Sequence, residues 1–230
     1  NGFEAPLSDR HWVELGVALK GIHTTIVPGA LKEQIPLEAY SPEWREMVRM
    51  FQRRAEGTAF RDPVAAEFAA FLRTRREEIS DLVERAEQLA GALQTRSLAY
   101  VPCHTDLHAG NVLIDANDAF YIVDWDAPIL APKERDLMFI GGGVGGAWNS
   151  AREEALFYEG YGQTRIDPMA LAYYRYERIV EDVAVFSEQL LSSDDGGKDR
   201  EKALKDFLGA FLPNNVVEIA YASDRSTLTD

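Results

Sequence analysis

One cysteine, Cys103, stands among the 230 residues, so no disulfide can close within the chain and a disulfide-scaffold fold is excluded. That usage fits a reducing compartment, and the sequence is read as cytoplasmic. Long apolar runs are also lacking. The longest uncharged stretch, Leu137 to Ala151, falls short of the roughly 20 residues that span a bilayer and is broken by five glycines. Basic residues are scarce beside acidic ones, 24 Lys and Arg against 38 Asp and Glu, which leaves a net charge of −14. Such a balance disfavours nucleic-acid phosphates and anionic membranes as partners and attracts small cations. The opening Asn-Gly-Phe-Glu-Ala-Pro has neither an initiating Met nor the basic-then-apolar order of a signal peptide, and reads as an interior cut. Repeats and low-complexity tracts are absent, and the apolar content of 46% is that of an ordinary folded protein.

What is present is mostly helical. Ser8 before Asp9, Ser41-Pro42, Asp62-Pro63 and Asp167-Pro168 each place a capping side chain where a helix can start. After Asp167, apolar residues at Tyr176, Val180, Val183, Phe186 and Leu190 predict one buried stripe on a helix that crosses the core, beside the acids Glu177, Glu181 and Asp182. The stretch from Pro63 to Thr95 reads as one bent helix or two, with a restart at Ser80-Asp81. Pro28-Gly29 and Ser192 to Lys198 read as surface loops. Between them the texture changes: Val112-Leu113-Ile114 and Phe120-Tyr121-Ile122-Val123, joined by Asp115-Ala116-Asn117-Asp118, predict a β-hairpin, the one sheet element expected. The fold class is therefore α+β, predominantly α, with a small hairpin in the middle.

The residues around that hairpin carry chemistry. His-Thr-Asp-Leu-His-Ala-Gly-Asn, residues 104 to 111, leads into it, and Asp124 stands at its far end in Val-Asp-Trp-Asp. A hairpin folds back on itself, so Asn111 and Asp124 come together. An amide oxygen beside a carboxylate suits magnesium, a hard cation that takes few protein ligands and keeps waters and substrate phosphates for the rest. Asp106 is left free as a base. The spacing is that of the kinase catalytic loop, H-x-D-x-x-x-x-N followed by a metal-binding Asp.

Asp124-Trp125-Asp126 in place of D-F-G, with Leu107-His108 after the catalytic Asp, resembles the aminoglycoside and choline kinase family of small-molecule phosphotransferases. Leu15-Gly16 to Ile22-His23 and Glu134-Arg135-Asp136-Leu137 are similar to that family too. The run from Ala131 to Gly145, Phe157-Tyr-Glu-Gly-Tyr-Gly, and Tyr176-Glu-Arg-Ile-Val-Glu-Asp resemble its spectinomycin phosphotransferase branch. The resemblance implies the helical C-terminal lobe of a kinase-like fold spanning residues 1–230, with Asp106 as catalytic base, Asn111 and Asp124 on magnesium, and His104 and Asp136 bracing the loop. Asp126, Glu177, Glu181 and Asp182 are candidates for contact with the substrate or a second metal. It implies transfer of the γ-phosphate of ATP or GTP to a hydroxyl of a small cationic molecule, spectinomycin-like aminocyclitols first. Choline- or homoserine-type kinases and a non-catalytic binding fragment are the alternatives. The nucleotide-binding N-terminal lobe, with its strand lysine, is expected to lie outside this chain, so that the isolated chain holds nucleotide weakly.

Competing readings are weaker. His104 and His108 have the spacing of zinc ligands, but Pro102 and Gly110 argue against the helix that would pair them. Cys103 reads as a packed core thiol. The glycine run 141 to 146 lacks the Lys-Ser/Thr of a phosphate loop and reads as a flexible turn near the substrate.

Overall fold

The structure, a computed structural model, describes residues 1–192 and 197–225. Five helices come first: α1 (Asp9–His23), the single turn α2 (Gly29–Lys32), α3 (Glu43–Gly57), α4 (Pro63–Thr74) and α5 (Arg76–Gln94). Four short strands follow, β1 (Tyr100–Cys103), β2 (Val112–Ile114), β3 (Phe120–Ile122) and β4 (Ile129–Pro132). Helices α6 (Glu134–Leu137), α7 (Ala151–Tyr161), α8 (Pro168–Ser192), α9 (Gly197–Ala210) and α10 (Val216–Arg225) complete the order. None is long and apolar enough to cross a membrane.

Three of the four expected helix starts follow their caps; at α3, Pro42 itself takes the cap position, and the Ser41 hydroxyl accepts from the Glu43 N–H at 3.3 Å. The Ser8 hydroxyl accepts from the His11 N–H, and Asp62 and Asp167 accept from Ala65 and Ala170. α8 is the spine, with α3, α4, α5, α9 and α10 packed around it. Its expected stripe is buried at Tyr176, Val180, Val183 and Leu190, with Phe186 half-buried. Being covered on most sides, the helix also buries Tyr174, Glu177, Ile179 and Ala184. α1 lies against α7 so closely that a Cβ on Gly16 would fall 2.1 Å from the Phe157 carbonyl oxygen. Any side chain there would force the two helices apart.

β2 and β3 form the expected hairpin, with Val112 opposite Ile122 and Ile114 opposite Phe120. Its turn is held by the Asp115 carboxylate, which accepts from the N–H groups of Asn117 at 2.8 Å and Ala119 at 3.0 Å. A second two-stranded sheet, β1 with β4, was not expected. Pro102 and Pro132 argue against strands, yet in a two-stranded sheet both strands are edges and tolerate proline.

Two other stretches depart from the expectation. Residues 63–95 form two helices that meet at Arg75, not at Ser80-Asp81. Arg75 ends α4 with its N–H on the Phe71 carbonyl, whereas the Ser80 hydroxyl accepts from Gln52 Nε2 at 3.4 Å and caps nothing. Pro28-Gly29 opens the one-turn α2 rather than a plain loop. Of the loop expected at Ser192 to Lys198, Ser192 instead ends α8 and Gly197 and Lys198 begin α9, while residues 193–196 lie outside the described residues.

Candidate active site

Asp136, on α6 and fully buried, organises the site. Its carboxylate accepts from two consecutive N–H groups, His104 at 2.9 Å and Thr105 at 2.8 Å. His23, the last residue of α1, places Nε2 3.0 Å from the same carboxylate and Nδ1 2.8 Å from the Tyr161 hydroxyl. Thr105 takes a left-handed φ of 78°, a conformation that Asp136 holds in place and that turns the chain after β1. Asp106 follows with its side chain 42% exposed.

The histidines of the loop are fixed in their tautomers by their partners. His104 Nε2 lies 2.8 Å from the Val123 carbonyl, which only accepts, so Nε2 carries the proton and Nδ1 accepts from the Asp106 N–H at 3.3 Å. The bond to Val123 links the loop of residues 104–111 to the end of the hairpin. His108 Nδ1 accepts from the Gly110 N–H at 2.9 Å, which puts its proton on Nε2, 3.4 Å from an Asp106 oxygen.

Asn111 donates through Nδ2 to the Asp106 carbonyl at 2.9 Å, leaving its amide oxygen for another partner. The Val123 N–H donates to the Asn111 carbonyl at 3.0 Å, so the hairpin register sets Asp124 directly beyond Asn111. Asp124 is exposed and left-handed, with φ 67°. The backbone thus brings Asn111 and Asp124, each with a hard side-chain oxygen to offer, to the end of the loop that carries the part-exposed Asp106. Burial alone would raise the Asp106 carboxyl, but the His108 hydrogen bond and the charge and hydrogen bond of Arg178 outweigh it and hold it well below the usual carboxylate range.

A sequence profile of the phosphotransferase enzyme family matches residues 2–173. The chain belongs to that family. Spectinomycin phosphotransferase APH(9)-Ia, solved in complex with ADP and spectinomycin, is 46% identical, with a TM-score of 0.89 over 97% of this chain and 68% of that one. Its AMP-bound complex gives 46% identity and a TM-score of 0.87, over 96% and 69% of the two chains. A choline/ethanolamine kinase family protein from Mesorhizobium loti, 18% identical, shares the fold with a TM-score of 0.54 over 96% of this chain and 69% of that one. No curated protein matches.

In this phosphotransferase the remaining candidates fall in different places. Asp126 is exposed beside Asp124 and Trp125. Asp182 accepts from Arg178 Nε at 3.0 Å, and Glu181 lies 3.9 Å from Arg135. Glu177 turns inward, buried, 3.6 Å from Arg45; burial pushes its carboxyl up to about 7 against the pull of Arg45 and Arg135. Cys103 is buried, and burial drives its thiol well above the ordinary range. The Cys103 thiol, His23 and Asp136 have ligand atoms within 4.8 Å of one another, but both His23 nitrogens are engaged and a metal would need the thiolate. They brace the loop. The glycine run lies beside it: Gly143, Gly145 and Gly146 are left-handed, and a Cβ on Gly145 would fall 2.6 Å from the Phe3 ring, which stacks on His108. Sequence reasoning missed the roles of Arg178 and His23. The signal for His23 was the Ile22-His23 helix end, but Arg178 stood between acids that drew the attention.

Proposed function

We propose that this phosphotransferase moves the γ-phosphate of ATP or GTP, as its magnesium complex, to a hydroxyl of a small cationic molecule, with spectinomycin-like aminocyclitols as the leading class. The observation that carries the reading is the part-exposed, donor-held carboxylate of Asp106, with Asn111 bonded to the Asp106 carbonyl and Asp124 one residue beyond the Val123 that pairs with Asn111. Likeness along nearly the whole chain to an enzyme bound to ADP and spectinomycin supports the acceptor class.

Asn111 and Asp124 fit magnesium: both offer hard oxygen, and the Asn111 amide is already turned by its bond to the Asp106 carbonyl. When bound, the ion neutralises charge on the nucleotide phosphates. Asp106 accepts the hydrogen bond of the acceptor hydroxyl and aims its oxygen at the phosphorus. With its carboxyl held so acidic, its first task is orientation, which suits a loose transition state that needs little prior deprotonation. Glu181 and Asp182, both part-exposed on α8, and the exposed Asp126 supply the negative field for a cationic acceptor. In this reading the exposed Leu113, Tyr121 and Trp125 mark the face on which nucleotide and a lysine-bearing lobe sit, since no strand among the described residues carries a lysine. The setting is cytoplasmic, where ATP and GTP are at hand.

A panel of phosphate acceptors, run with protein that carries the lysine-bearing lobe, tests the reading. Aminocyclitol antibiotics should lead choline, ethanolamine and homoserine in kcat/KM, and their KM should rise with salt as screening weakens the attraction. A neutral or anionic acceptor in first place would overturn it.

A further inference from the structure

We propose that Arg178 and His108 are positioning residues that grip one oxygen each of the Asp106 carboxylate and so fix its plane for the incoming acceptor hydroxyl. The inference rests on the reading of Asp106 as the residue that receives that hydroxyl.

Arg178 reaches Asp106 from α8, 72 residues along the chain, and donates through Nη1 to Oδ1 at 2.5 Å. It is itself immobilised. Its Nε donates to Asp182 at 3.0 Å, and its guanidinium lies 5.7 Å from the centre of the Phe139 ring. A planar fork tied to Asp182 and pressed against an aromatic face has little freedom to follow a wandering carboxylate. The carboxylate must come to it.

His108 holds the other oxygen by a separate device. The Gly110 N–H fixes the tautomer from one side, and Phe3 stacks on the ring with centroids 5.5 Å apart, so the protonated Nε2 is held 3.4 Å from Oδ2, within ion-pair reach. Only glycine permits this at position 110. A Cβ there would fall 2.7 Å from the His108 ring and 2.9 Å from Phe3. Without the two donors the carboxylate would turn about its Cβ–Cγ bond, and its rotation would have to be frozen at each turnover. With them, the remaining lone pairs present a fixed direction on the exposed side.

A split between kcat and KM with magnesium-ATP separates the clamp from a structural role, because a misaligned carboxylate slows transfer without loosening the nucleotide. Arg178→Ala should lower kcat for transfer to the best acceptor of the panel by about 100-fold and leave the nucleotide KM unchanged. Added guanidinium should restore part of the loss. Arg178→Lys, which keeps charge and stem if the Ala variant fails to fold, should fall between the two. His108→Ala should cost about 10-fold, and the double variant less than the product, because both act on one carboxylate.

Arg178 variants that transfer like the wild type, or whose nucleotide KM rises along with the loss of kcat and that show no guanidinium rescue, would overturn the clamp alone. A wild-type protein that carries the lysine-bearing lobe and phosphorylates no acceptor would overturn the functional reading and the clamp with it.

Discussion

Asp106→Ala is expected to lower turnover with the acceptor by about 10²- to 10⁴-fold, the range for removing a positioned acid–base group, while nucleotide affinity stays as it was. The loop does not need this side chain for its shape. Its bonds to Asn111 Nδ2 and the His108 N–H are made by the Asp106 backbone carbonyl, which alanine keeps. Arg178 would lose one partner but retain Asp182. The variant should therefore fold, bind magnesium-nucleotide with wild-type affinity in calorimetry, and fail at transfer. Turnover within a few-fold of wild type would remove Asp106 from the mechanism.

Asp136→Ala is expected to act on the fold itself, with a loss of about 3–5 kcal/mol. The N–H groups of His104 and Thr105 would be orphaned in a dry interior, His23 would keep only Tyr161, and the left-handed Thr105 would be held only through its hydroxyl on the Ala127 carbonyl. Asp136→Asn is a milder version, because one amide oxygen can still accept while its NH₂ meets a donor. Urea unfolding of the three proteins should rank wild type above Asn above Ala. A loss below about 1 kcal/mol for the Ala variant would mean that the loop is held by something other than this carboxylate.

How far the sequence reveals this protein depends on distance along the chain. The hairpin and Asp106, Asn111 and Asp124 lie within twenty residues, so alternation, turn chemistry and spacing were enough to bring them together. Partners that arrive from afar were not legible. Arg178 meets Asp106 across 72 positions, and His23 meets Asp136 across 113. Helical periodicity says that such residues face inward but not whom they face. The acids of α8 show the same limit: their spacing was plain, but only the packing reveals that Glu177 turns to Arg45 while Asp182 steadies Arg178. The β1–β4 sheet was hidden by its prolines. The break at Arg75 carries no capping side chain, whereas the misleading signal at Ser80 belongs to a hydroxyl spent on Gln52.

The central claim is that a metal held by Asn111 and Asp124 serves a transfer aimed by Asp106. Turnover measured while magnesium is titrated into the wild type, Asn111→Ala and Asp124→Ala tests it most directly. The account predicts that each substitution raises the magnesium concentration for half-maximal turnover or abolishes turnover at any concentration. Magnesium dependence unchanged in both variants would contradict it.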